Sequence, residues 1–405
     1  MYDIIIIGTG PTGLFAAISL SSSEKRILVL EKNSSAGKKL LLSGSGQCNL
    51  THSGEINSFF SKYGSKLNFI KPAILNFSNK DLIKFIEEKG LPLFEREDGK
   101  IFPESLKSSD LLQLLLTLCK SENILFKYNE PAVDVDYNNQ EFIVKSSKEI
   151  YKSKMLIIAA GGKSYPKTGS TGDGYSFAEK LGHTIINPKP ALVPVKIKNY
   201  FFAELSGISI PDVSLKLMRD DKFIAEYKGD ILFTHKNISG PVVLNISRYV
   251  EKNDLLIINF LTGLEIDSLN DYLIKESSLN GKLSIKSVLR NLSFPSRLID
   301  TLLHFSGINS ELKCGELSKD VRKKIIENFS SFKMIVEKNE DFEIAMVTSG
   351  GVDTEEINRK TMESKIIKGL YIIGETLDID GDSGGYNIQA AFSTGKLAAD
   401  SIIKS

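Results

Sequence analysis

Cysteine is scarce in this chain, with Cys48, Cys119 and Cys314 far apart in 405 residues and no C-x-x-C among them. That excludes the active-site dithiol of a disulfide reductase, and no disulfide framework is expected. Histidine is as sparse: four residues, none in H-E-x-x-H or a comparable ligand spacing, so no metal site is expected. Charge of either sign is not in excess, 51 basic residues standing against 50 acidic, and the net +1 argues against a strongly basic surface. The expected partners are therefore a small-molecule substrate and no nucleic acid, with the oligomeric state open. No apolar run approaches the roughly 18 residues of a membrane span, so no membrane partner is expected. The first residues enter a strand without a signal-peptide layout, and a cytoplasmic location is expected. What is present is ordinary for a globular protein, 41% apolar and 25% charged, in a chain long enough for two or three domains.

The most informative stretch is residues 3–31. A β-branched run at 4–7 suits a strand buried on both faces, and Leu14, Ala17, Ile18 and Leu20 recur at roughly helical spacing behind Gly8-Thr9-Gly10-Pro11-Thr12-Gly13. In such a G-x-G-x-x-G turn the first glycine allows the tight turn. The second lets backbone amides approach a pyrophosphate, and the third lets the helix pack on the strand, so a phosphate meets a helix N-terminus. Pro11 suits the first helical turn. A second strand at 27–30 ends in Glu31, about 20 residues past the glycines, where a carboxylate accepts from a ribose diol and repels a 2′-phosphate. This is a dinucleotide-binding βαβ unit.

Three further glycine-rich regions extend the site. Gly37-Lys38-Lys39-Leu40-Leu41-Leu42-Ser43-Gly44-Ser45-Gly46-Gln47-Cys48-Asn49 follows the ribose strand and can bring several amides against a planar or anionic ligand. A strand at 155–160 ends in Ala160-Gly161-Gly162. Near the C-terminus, 369–374 repeats strand, glycine, acid with Gly374 and Glu375, and is followed by Asp378, Asp380, Asp382 and Ser383-Gly384-Gly385-Tyr386-Asn387. Behind them Ile388, Ala391, Phe392, Gly395, Ala398 and Ile402 share one helical face, so the Gly-Gly turn feeds a helix N-terminus with its partial positive charge. Aimed at the pyrimidine end of a flavin, that charge would stabilise the reduced ring. Three glycine-terminated strands favour an extended ligand such as FAD over NAD. No second G-x-G-x-x-G is present, so a nicotinamide dinucleotide would only visit.

Between these regions, 78–90 and 109–122 read as amphipathic helices, and 132–137 and 141–146 as strands. From about 191 the texture becomes antiparallel β, with strands at 191–197, 213–219, 222–227 and 230–234. Residues 267–333 read as helical, and 342–348 as a strand. The fold class is α/β: a Rossmann-like split FAD-binding domain with an inserted antiparallel β-barrel-like domain and a small helical subdomain. The expected boundaries are 1–190 with 341–405 for the FAD domain, 191–266 with 334–340 for the β domain, and 267–333 for the helices.

Five spaced motifs carry a resemblance that runs nearly end to end. They are Gly37 through Asn49, Asp98-Gly99-Lys100-Ile101-Phe102-Pro103, Ala160 through Gly174, Leu232-Phe233-Thr234-His235 with Ile238-Ser239-Gly240-Pro241, and Gly374 through Asn387. On these residues the chain resembles a bacterial family of FAD-dependent oxidoreductases that includes aminoacetone oxidase-like and bile-acid-reductase-like flavoproteins. The resemblance implies a split FAD domain, an inserted barrel-like domain and a small helical domain on it. In the flavin loop the family commonly has an arginine where this chain has Gln47, which donates hydrogen bonds but carries no charge. His52 stands where an asparagine is usual.

The expected function is hydride transfer through flavin N5, to or from a small organic substrate, with NAD(P)H as a transient co-substrate. An oxygen-using amine or aminoketone oxidase and a non-catalytic or RNA-linked redox-sensing flavoprotein are the alternatives. Residues expected around FAD are Gly8, Thr9, Gly10, Pro11, Thr12, Gly13, Glu31, Lys32, Gly37, Lys38, Lys39, Ser43, Gly44, Gly46, Gln47, Cys48, Asn49, Val133, Ala160, Gly161, Gly162, Gly374, Glu375, Asp380, Gly385, Tyr386, Asn387 and Ile388. His235, Tyr165, Lys167 and Tyr386 are the candidate proton donors or orienting groups.

Overall fold

The computed structural model describes residues 1–261, 266–292 and 294–405. The boundary expected at 266 falls against residues 262–265, outside the described residues. Contacts divide the chain into two units, Met1–Ala191 with Asp341–Ser405, and Leu192–Glu340.

In the first unit, Ile4, Ile5 and Ile6 are fully buried because the Tyr2–Ile7 strand is central, pairing in parallel with Ile27–Leu30 on one side and Ile150–Ile158 on the other. Ile124–Lys127 extends the parallel sheet beyond Ile27–Leu30. The strand expected at 155–160 is longer and earlier, Ile150–Ile158, because it serves two neighbours along its length. Its first half pairs antiparallel with Glu141–Ser146, whose hairpin partner is Ala132–Asn138, and its second half pairs in parallel with Leu370–Ile372. The last strand thus returns to the N-terminal sheet. The helix Tyr386–Lys404 then packs on Pro11–Leu20, where Gly395 is required because a methyl on it would lie 2.8 Å from the Thr12 carbonyl oxygen.

The second unit is built on a closed barrel of six strands, in the order Val195–Ile197, Ile238–Ser239, Lys222–Phe233, Ser209–Arg219, Leu255–Asn259 and Phe332–Asn339, the last pairing back with the first. Strands expected at 222–227 and 230–234 are one strand. Gly229, at φ +150°, is absorbed opposite a bulge between Ile210 and Val213. The helices Ile266–Leu279, Ile285–Arg290, Ser296–Phe305 and Lys319–Ser330 share one apolar core with the barrel, through residues such as Leu269, Leu302, Phe329, Leu256 and Phe233. The strand expected at 342–348 is displaced to Val347–Val352, since Ile344 and Met346, which gave the alternation, are exposed. Among the described residues no helix is long and apolar enough to cross a membrane.

Candidate functional site

The three glycines of the first turn do different work. Gly8 leaves the strand at φ +106°, and a methyl on it would lie 2.4 Å from the Ala159 carbonyl oxygen. A methyl on Gly13 would lie 2.1 Å from the Gly8 carbonyl oxygen. Both are glycine because the helix is pressed onto the sheet. Gly10 has an ordinary φ of −67°, and a methyl on it would meet no protein atom within 4 Å. Packing does not require glycine there. The position opens outward at the N-terminus of Pro11–Leu20, whose first amides have no intrahelical acceptor. Thr12 is buried behind it, against Gly374.

Glu31 is buried at the end of Ile27–Leu30, held by its neighbours. Oε2 accepts from the Thr9 amide (3.2 Å) and the Thr9 hydroxyl, and Oε1 from the Asn33 amide (2.7 Å) and the Asn33 side-chain amide (2.8 Å). A carboxylate has about four lone-pair positions, so a ribose hydroxyl must displace one of these donors, and the Thr9 hydroxyl is the one that turns about a single bond. Lys32 bonds Asp173 (2.6 Å) and the Thr171 hydroxyl (2.5 Å), tying the end of the Ile27–Leu30 strand to the loop after Gly162. Val133 is exposed beside a bulge between Ala132 and Asp134, on an edge strand.

The 37–49 stretch holds a cluster of left-handed residues: Gly44 (φ +55°), Ser45 (+57°), Gly46 (+87°) and Cys48 (+61°). Ser43 accepts from the Cys48 amide at 2.9 Å and Gly44 from the Gln47 amide at 3.1 Å, so the loop is closed on itself. Gln47 is exposed, while Cys48 is fully buried and burial pushes its thiol up to about 11, against a smaller lowering by Ser43. Gly37 packs against Leu112, and Lys38 is half-buried. Lys39 reaches across to both oxygens of Glu375 (2.7 and 3.0 Å), and Glu375 Oε1 also accepts from the Thr348 amide at 2.8 Å. The Thr348 hydroxyl in turn accepts from the amides of Lys163 (2.8 Å) and Ser164 (3.1 Å). A methyl on Gly162 would lie 2.4 Å from that hydroxyl. Thr348, absent from the expected set, is therefore the post between Ala160-Gly161-Gly162 and Glu375. Nothing in the sequence around it signals this.

At the second helix N-terminus, Gly385 (φ +94°) lies on Thr51, and a methyl on it would come within 2.7 Å of Thr51 backbone. The Asn49 side chain accepts from the Gly385 amide (3.1 Å) and donates to the Thr51 carbonyl (2.9 Å), which joins the 37–49 loop to this turn. Asn387 is spent on the chain itself, accepting from the Gly381 amide (2.8 Å) and donating to the Gly381 carbonyl (2.9 Å). Asp380 is buried in the same turn, and Ile388 is half-buried behind it.

Of the four candidate proton donors, Tyr386, Tyr165 and Lys167 belong to the first unit and His235 to the second. Tyr386 is buried and stacks on His52, with Phe59 edge-on and the Tyr63 hydroxyl donating to its carbonyl at 2.8 Å. Burial, then Asp382, pushes its phenol up to about 12. Tyr165 is held in the left-handed region (φ +54°) by a bond from its amide to the Phe342 carbonyl, and Lys167 beside it is exposed. His235 belongs to the second unit, exposed in the Thr234–Asn237 turn.

The model of the HI0933-like protein Rossmann domain matches residues 2–401. Among curated proteins, the ribosomal RNA dihydrouridine synthase of Haemophilus influenzae is 32% identical over 98% of both chains. The one from Escherichia coli is 28% identical over 99% of this chain and 98% of its own. A 3-dehydro-bile acid delta(4,6)-reductase of Clostridium scindens is 29% identical over 98% of both. Among solved structures, an E. coli quinol fumarate reductase aligns over all of this chain and 70% of its own, at 12% identity and a TM-score of 0.53, which is a likeness of fold. The expectation of no nucleic-acid partner is corrected by the two synthases, whose names are RNA-linked. It rested on a net charge, and a sum over the chain conceals how charge is arranged on any one face. The chain belongs to the HI0933-like Rossmann-domain family and is an FAD-binding oxidoreductase.

Proposed function

We propose that this protein is a flavin-dependent reductase that saturates the ring C=C bond of a uridine in ribosomal RNA, drawing electrons from NAD(P)H in the cytoplasm. The observation that carries the reading is the end-to-end match to two ribosomal RNA dihydrouridine synthases. The third relative supports the chemistry. The C=C bond of uracil is conjugated to a ring carbonyl, as is the bond reduced in a 3-oxo-Δ4 steroid, so one machinery serves both.

The residues present fit FAD. The open side of Gly10 at the Pro11–Leu20 N-terminus suits a pyrophosphate, which Gly8 to Gly13 would hold through backbone amides. Glu31 would hold the adenosine ribose, and Lys39 with Glu375 would fix the segments on either side of the ribityl chain. The 37–49 loop, Gly161-Gly162 and the Gly385 turn would enclose the ring. When bound, the flavin supplies hydride transfer at N5. The chain supplies orientation and charge: the amides that open the Tyr386–Lys404 helix favour negative charge beside them. Cys48, buried with its thiol raised, holds its proton and takes no part in proton transfer.

The test is anaerobic rapid mixing of the FAD-loaded protein with NADPH or NADH, followed by ribosomal RNA or a conjugated 3-oxo steroid. Bleaching by nicotinamide and reoxidation by RNA, with nucleosides heavier by two hydrogens, is expected. Reoxidation by the steroid alone would move the substrate to the small-molecule class, and peroxide formed with an amine substrate would make the protein an oxidase.

A further inference from the structure

We infer that the second unit carries a docking surface for an unpaired segment of the RNA substrate, laid along the Ser296–Phe305 helix; this rests on the RNA reading above. Reduction of the ring C=C bond needs access to a face of the uracil, and both faces are covered while the base is stacked. The RNA is therefore unstacked where it reacts, and the nucleotides beside that point need a support.

Charge is arranged for one. Residues 281–324 hold nine basic side chains against four acidic, an excess of five in a chain whose total is +1. Arg297 is exposed in the first turn of the helix and pairs with no acid among the described residues. A cation there opposes the helix dipole, so the helix gains nothing from it. Beside it, exposed Arg290 donates from Nε to Ser296 Oγ (2.9 Å), and Lys286 bonds Asp300 (2.7 Å), which neutralises that acid.

Arg297, Asp300 and His304 fall at steps of three and four residues, on one stripe that ends in aromatic rings. His304 is exposed and stacks on Phe201, with ring centroids 6.1 Å apart and planes within 6°. Phe305 lies edge-on to Phe201 at 5.1 Å and against Phe332 at 4.8 Å. The Phe332 contact anchors the Phe305 ring, yet the residue is 51% exposed. Bases stack on such faces whatever their identity, while the backbone phosphates follow the cations. From Arg297 to His304 is about 10 Å along the helix, the length of about three stacked nucleotides. A duplex would use the cations alone, because its bases are paired inside, so the aromatic end selects a single strand.

The test is anisotropy titration of the FAD-loaded full chain with a labelled, single-stranded, uridine-rich oligonucleotide at several salt concentrations. Arg297→Ala should weaken binding and lower the slope of log Kd against log salt by about 0.7, the share of one phosphate. His304→Ala, and Phe305→Leu, which keeps an apolar side chain on Phe332, should each weaken binding about tenfold with the slope unchanged. Lys148→Ala, which removes the same charge from an exposed turn of the first unit, should change neither. In turnover the three surface variants should raise KM for ribosomal RNA and leave kcat and the rate of bleaching by NADPH as they are. Native affinity in all three, an equal loss in Lys148→Ala, or a dimer of this chain that Phe305→Leu dissociates overturns the assignment. If native protein reduces ribosomal RNA and the variants do so at native KM, the surface falls and the RNA reading stands. If native protein binds no RNA and reduces only a conjugated small molecule, the RNA reading itself falls.

Discussion

Gly10→Ala and Gly13→Ala should separate binding from packing within one six-residue turn. Gly10 has an α/β-compatible φ and nothing within 4 Å of an added methyl. The substitution therefore leaves the FAD-free fold intact and raises its stability by about 0.4–1 kcal/mol, since alanine has less freedom to lose from the unfolded chain. The same methyl stands where a pyrophosphate meets the helix. FAD affinity should fall at least about tenfold, or about 1.4 kcal/mol. At free FAD of about 100 times the native Kd, the native protein gains about 2.7 kcal/mol from binding, so the variant is more stable than native without FAD and less stable with it. Gly13→Ala behaves oppositely. Its methyl would be 2.1 Å from a carbonyl oxygen, and the helix must lift from the sheet, at about 1–3 kcal/mol or more with or without cofactor. Urea unfolding at several FAD concentrations, with FAD titration by fluorescence, reads both. A Gly10→Ala protein that binds FAD at native affinity would refute the placement of the pyrophosphate. A Gly13→Ala protein with the native urea midpoint would refute the packing.

Three further outcomes are expected. Thr348→Val strands two amides, that of Ser164 buried and that of Lys163 half-buried, and should lower stability by about 1–3 kcal/mol by urea unfolding, with weaker FAD retention. Because burial raises the Cys48 thiol from an ordinary value near 9 to about 11, the folded chain keeps a proton that the unfolded chain releases. Stability from this group is complete below about pH 9 and drains away as pH rises towards 11, so Cys48→Ala should show a shallower alkaline loss in unfolding experiments run from pH 8 to 11. His183 is held below the usual imidazole range by burial, against Glu356, with Nδ1 donating to Glu356 and Nε2 accepting from Ser364. Its folded form resists protonation, so its contribution is present above the ordinary imidazole range and lost on acidification through it; His183→Gln should flatten the stability profile there.

What was legible in the sequence was local. The isoleucine run and the two steric glycines are read within the first fifteen residues, and the strand and the close helix–sheet contact they imply are present; Glu31 ends the second strand where the spacing puts it. The split between an α/β part and a barrel was visible as a change from helical to alternating pattern. What escaped reading depends on partners distant in the chain. Phe332–Asn339 closes the barrel against Val195–Ile197, yet its first residues look like the tail of a helical stretch. Helix Leu67–Asn76 carries Pro72 inside it, a residue that ordinarily ends a helix. Thr348 stands out only beside Glu375, a neighbour that single-chain spacing cannot supply. Asn387 sat in the right motif, but its side chain is used to close the Gly381 turn.

The seam between Thr12 and Gly395 has a consequence for how the molecule is born. A ribosome adds roughly 5–20 residues per second, so the opening glycine turn emerges tens of seconds before the helix that must lie against it. During that wait the Ile150–Ile158 strand has no Leu370–Ile372 neighbour, and its buried second half, Leu156 to Ile158, stands as an open sheet edge. The intervening segment, with its own barrel and core, can condense meanwhile. With FAD held as proposed, its binding is a late event in synthesis, and the nascent chain's exposure to chaperones is set by the distance in sequence between the two segments of the first unit.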